Sequence, residues 1–67
     1  MKIPEELDWW FYKATEGEGL GYTLSDYTDD DTVAKLSAWN KELGDAVKAA
    51  RDAYIKVESF LDENYAP

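Results

Sequence analysis

Apolar residues recur at helical spacing through the C-terminal half of the chain. Val33, Leu36, Trp39, Leu43, Ala46, Val47, Ala50, Ala53, Tyr54, Val57, Phe60 and Leu61 fall in one phase. Leu36, Leu43, Ala50 and Val57 are seven apart; Trp39, Ala46, Ala53 and Phe60 lie three later; Val47, Tyr54 and Leu61 lie one later again. Such a stripe is the signature of an amphipathic helix, and Lys41, Glu42, Lys48, Arg51, Asp52 and Lys56 between its members form the polar side. Asp29, Asp30, Asp31 and Thr32 supply an N-cap and first-turn carboxylates that complement the helix dipole. Asn64 and Pro67 mark the end. The pattern predicts one long amphipathic helix over 31–64, roughly 50 Å at 1.5 Å per residue. Gly44 is the weak point, but the stripe passes it without a phase break, so the expectation is a bend there rather than a reversal.

Upstream, two patterns compete within an acidic, aromatic element over 3–27. Read as a helix, Pro4 occupies the first turn, Glu5 and Glu6 complement the dipole, and Gly17 stops it. Leu7, Trp10, Phe11 and Ala14 then share one face. Read as a β-hairpin over about 9–26, Trp9 to Thr15 and Leu20 to Asp26 pair across Glu16–Gly19. The helix has the more complete boundary signals, and the turn lacks Asn-Gly or Asp-Gly. The reading is therefore an all-α chain, a short N-terminal helix folded back on the long one; the alternative is an α+β chain with that hairpin packed on the helix. Ala46, Ala50 and Ala53 make a shallow patch, which the bulky Trp9, Trp10 and Phe11 are expected to fill. Gly17, Gly19 and Gly21 are expected to form a flexible connection.

Size changes the energetic picture. The chain has 67 residues, enough for a single small domain over 1–67. A domain this short buries only about 60% of its unfolded surface, so it needs efficient helix packing, a partner or a second copy. Hydrophobic content of 45% and aromatic content of 15% argue against disorder. The longest apolar or aromatic run, Trp9-Trp10-Phe11-Tyr12, is far too short to span a bilayer. Pro4, Glu5, Glu6 and Asp8 leave no readable secretory signal, so the expected location is cytoplasmic.

Chemistry is narrowed by what is missing. Without cysteine or histidine there is no disulfide framework, thiolate or imidazole metal site, cysteine nucleophile or imidazole base. Ser25, Ser37 and Ser59 sit in no nucleophile-elbow context, and Gly17, Gly19 and Gly21 match neither a phosphate loop nor a dinucleotide fingerprint. Asp26, Asp29, Asp30 and Asp31 offer hard oxygen ligands but lack the EF-hand spacing. No catalytic group, cofactor or metal is expected.

Charge points elsewhere. Seven basic residues against 15 acidic ones give −8, which opposes direct contact with nucleic acid or an anionic membrane. Residues 1–31 carry −7 of that balance and six of the ten aromatics: Trp9, Trp10, Phe11, Tyr12, Tyr22 and Tyr27. Asp29, Asp30 and Asp31 are explained largely as helix N-terminal charge. Glu58, Asp62 and Glu63 are not, since acids near a helix C-terminus oppose the dipole and Glu58 and Asp62 form a like-charge i, i+4 pair.

Two functional expectations follow. The first is an acidic binding protein for a basic protein partner, with Asp26, Asp29, Asp30, Asp31, Glu58, Asp62 and Glu63 as carboxylates and Trp9, Tyr12 and Tyr27 as aromatic anchors. In charge and size the chain resembles the DNA-mimic inhibitors that phages deploy against host nucleases and defence complexes; the likeness is one of composition. The second is a helical self-association or scaffold module, such as a homodimer using leftover apolar stripe.

Overall fold

The computed structural model describes residues 2–65, and the stop expected at Pro67 lies outside them. The described chain is all-helical, with no strand among the described residues. A 3-10 turn over Glu5–Leu7 leads into α1 (Asp8–Thr15), followed by α2 (Leu20–Asp26), α3 (Asp30–Trp39) and α4 (Lys41–Asn64). The hairpin alternative over 9–26 is corrected: both of its would-be strands are helices.

α1 forms as its boundary signals predict. Glu5 and Glu6 open the preceding turn, and Leu7, Trp10, Phe11 and Ala14 face inward. The Gly17–Gly21 segment is not a connection throughout, since α2 starts at Leu20 with Gly19 as its N-cap. Gly19 has φ 96°, a conformation that favours glycine, and its carbonyl accepts the first bond of α2 from Thr23 N at 3.1 Å. Gly21 lies inside α2 against the Tyr54 ring, where an added Cβ would meet Cε2 at 3.0 Å. The seven residues of α2 hold through packing, with Thr23 and Leu24 buried.

The largest correction concerns the long helix. Residues 30–64 form two helices, and the break is at Asn40, four residues before Gly44. Asn40 is extended (φ −151°, ψ 106°), and its side-chain oxygen accepts from Leu43 N at 3.0 Å, capping α4. One residue thus reverses the chain. α3 returns along the first half of α4, with Ser37 against Gly44 near the turn and Asp30 beside Arg51 at the other end. The apolar phase survives because both helices turn their stripes toward the same core.

That core is small. Leu7, Trp10, Leu24, Leu36 and Val47 are buried together, with Phe11, Ala14, Trp39 and Leu43 packed around them. Phe11 meets Trp10 and Trp39 edge-on, at centroid separations of 5.2 and 5.7 Å. The buried indole of Trp10 donates from Nε1 to Thr28 Oγ1 at 2.8 Å, and Thr28 Oγ1 donates to the Thr23 carbonyl at 2.7 Å. The alanine patch is not part of this core: Ala46, Ala50 and Ala53 are exposed. Of the three residues expected to cover it, Trp9 is exposed, while Trp10 and Phe11 line a groove shared with Ala46 and Ala50. Every residue from Asp52 to Tyr65 is exposed, and beyond Tyr54, whose ring lies on Gly21 of α2, α4 projects from the packed body; the longest dimension of the whole chain is 44 Å. No described helix is long and apolar enough to cross a membrane.

Candidate functional site

The inward turn of Trp10 and Phe11 fixes what α1 shows to solvent. Asp8, Trp9, Tyr12 and Glu16 follow at offsets of one, four and eight residues, which places them along one side of the helix, with Glu5 one turn earlier. Trp9 is 42% exposed and Tyr12 58%. Glu5, Asp8 and Glu16 are exposed too, and among the described residues none has a basic group within 4.0 Å. Asp8 also complements the N-terminus of α1, whereas Glu16 caps the C-terminal end, where a negative charge opposes the dipole. This acidic side with two open aromatic rings has the chemistry to receive a basic surface.

The other expected carboxylates are mostly engaged locally. Asp29 caps α3, accepting from Thr32 N at 2.8 Å, and that bond holds its carboxyl below the ordinary value of 3.8. Asp30 meets Arg51 at 3.0 Å while its own side chain stays 95% exposed. Asp31 pairs with Lys35 at 3.2 Å along α3. Asp26 ends α2 and accepts from Ser25 Oγ at 2.7 Å. Tyr27 is half-buried, with the Lys13 ammonium 4.2 Å from its ring centroid and Tyr22 beside it at 5.7 Å, so it is part of the fold rather than an open anchor. Asp26, Asp29, Asp30 and Asp31 do not converge as ligands: no group among the described residues is arranged to hold a metal ion.

Glu58, Asp62 and Glu63 stand apart on distal α4. They are exposed, with no cation within 4.0 Å among the described residues. The sequence-predicted set therefore divides between α1, the α2–α3 junction and distal α4, rather than forming one patch. Glu5, Asp8 and Glu16 were not singled out from the sequence; their spacing from Trp9 and Tyr12 was the available signal, once the helical register is settled.

Arg51 ties the body together. Its guanidinium donates to the Thr28 carbonyl at 3.0 Å and meets Asp30 and Asp52, each at 3.0 Å, with only 11% of its side chain exposed. Asp52 first, then Asp30, raises its pKa further above an already high value. An apolar groove of about 370 Å³ opens between α1, α2 and α4, with Ala46 and Ala50 on its α4 wall. No protein-family model, curated protein or solved structure matches the chain.

Proposed function

We infer that this chain is a non-enzymatic, cytoplasmic acidic binding protein that occupies a basic, nucleic-acid-binding surface of a larger protein, as phage-encoded DNA-mimic inhibitors do. The reading is carried by one observation: Trp9 and Tyr12 are exposed on the same side of α1 as Glu5, Asp8 and Glu16, which have no cation partner among the described residues. Each is the residue type that anchors protein interfaces. The carboxylates steer a basic partner toward them and stand in for backbone phosphates on a rigid helix. The net charge of −8 extends that field over the whole chain, including the exposed Glu58 and Asp62. Occlusion needs no cofactor, no catalytic group and no direct contact with nucleic acid.

The test is capture by the immobilised full chain from a matched cell lysate, followed by elution with salt and, separately, with duplex DNA. Basic nucleic-acid-binding proteins released by both eluents support the reading. Retention of no such protein, or release by salt alone with DNA unable to compete, contradicts it.

A further inference from the structure

Distal α4 carries a second surface that the acidic side of α1 does not explain. Ala46, Ala50, Ala53, Val57, Phe60 and Asn64 follow one another in steps of four and three, the repeat that keeps a seam on one side of a helix. All six are exposed, Val57 by 59% and Phe60 by 63%. Ala46 and Ala50 line the groove against α1 and α2. α3 begins at the level of Arg51, through the Asp30 contact, and α2 reaches α4 last at Tyr54, whose ring lies on Gly21; Val57, Phe60 and Asn64 lie beyond both contacts.

We propose that a second copy of this chain covers this distal seam, pairing antiparallel with Val57 of each copy against Phe60 of the other. In that register Ala53 faces Asn64 of the partner copy, a small residue opposite a larger one, and the layers on either side of the pair's centre are equivalent. The flanks then decide between orientations. On one side of the seam lie Leu61, 51% exposed, and Tyr54, which keeps its contact with Gly21 and offers only the 40% of its surface left exposed to Leu61 of the other copy. On the other lie Lys56 and Glu63, seven residues apart. Antiparallel pairing about the Val57–Phe60 centre places Lys56 of each copy beside Glu63 of the other, giving two equivalent ion pairs.

Charge supports this arrangement over the alternatives. Lys56 is the one base of the projecting segment, and it has no carboxylate within 4.0 Å among the described residues. Glu58 and Asp62 lie off the seam, so the pairing does not force them together. A parallel pair would set Lys56 beside Leu61 of the other copy and bring two acidic bodies, each −5 over residues 1–51, side by side. The antiparallel pair sends the bodies to opposite ends. It also leaves both α1 faces open, so that one dimer presents two of them. The association does not rest on the function proposed for α1, since none of its seam or flank residues belongs to that helix.

Sedimentation equilibrium of the full chain across a hundredfold concentration range, with charge-swap variants, tests the proposal. Lys56 and Glu63 are exposed and have no ion partner among the described residues, so Lys56→Glu and Glu63→Lys should both stay folded, which circular dichroism checks. The parent should show a monomer–dimer equilibrium. Each single reversal should weaken it by at least about tenfold, because like charges then face each other twice. The double variant should return to within about threefold of the parent, and an equal mixture of the two single variants should form mixed dimers. A parent that stays monomeric up to about 1 mM overturns the proposal. So does a dimer that is indifferent to the single reversals or not restored by the double variant.

Discussion

Gly44 sits so close to Ser37 that a Cβ added to it would lie 2.5 Å from the Ser37 Cα. The approach is backbone against side-chain position, across the turn at Asn40, and it sets how tightly α3 lies on α4. Glycine normally weakens a helix interior by about 1 kcal/mol relative to alanine. Here the close helix contact outweighs that local penalty.

Gly44→Ala should therefore destabilise the protein, although alanine is the better helix former. Overpacking of this kind costs about 1–3 kcal/mol, which in a domain this small lowers the melting temperature by several degrees. Removing the Ser37 side chain in the same variant should not restore stability, since the obstructing atom includes the Cα itself. Thermal unfolding followed by circular dichroism checks both.

Thr28→Val should cost about 1–3 kcal/mol in urea unfolding. It keeps the side-chain shape but deprives the buried Trp10 Nε1–H of its acceptor. Adding Trp10→Phe to that background should cost less than it does in the parent, because the unpaired donor leaves with the indole.

Acid should weaken the fold in part through Asp29. Its carboxyl is held below 3.8 by the Thr32 amide, so the unfolded chain takes up a proton first as pH falls. The contribution is fully present above the unfolded value near 3.8 and disappears as pH drops through the lower folded value. Asp52 behaves the same way, held low by Lys48 and then Arg51. Asp29→Asn keeps a capping oxygen and loses the titration, so its urea midpoint should fall less between neutral pH and pH 3 than the parent's does.

The contrast between Ala50 and Leu36 shows how far the pattern of the chain reaches. Both sit on the same heptad position. Leu36 is fully buried, and Leu36→Ala should cost about 2–5 kcal/mol. Ala50 is exposed on the wall of the apolar groove, so Ala50→Glu should cost clearly less than Leu36→Ala, although the two share one position in the stripe. Denaturant unfolding of the two variants separates the cases.

Periodicity identified the helical class, the caps at Asp29 and the inward face of α1, because each is a local property. It missed the reversal at Asn40, since a single extended residue between two helices leaves the apolar phase almost unchanged. Asn40 was nonetheless a readable N-cap followed by Lys41-Glu42-Leu43. α2 was obscured by Gly19 and Gly21, and it exists because Leu24 and Thr23 are buried rather than because its residues favour helix. Of the candidate site, Trp9 and Tyr12 are legible in the sequence as candidate aromatics, and both are exposed. Their carboxylate neighbours Glu5, Asp8 and Glu16 are not legible, because charge density alone does not reveal which acids lack a local cation.

The central claim is that the acidic, aromatic side of α1 recognises a basic partner. Its most direct measurement is the association rate at several salt concentrations, using the partner isolated by DNA-competed capture. The parent is compared with Trp9→Ala and with a Glu5→Gln, Asp8→Asn, Glu16→Gln variant. The carboxylate variant should remain folded, associate more slowly and show a flatter salt dependence, because steering scales with the charge presented. Trp9→Ala should chiefly speed dissociation. Unchanged rates and salt slope in both folded variants would contradict the account.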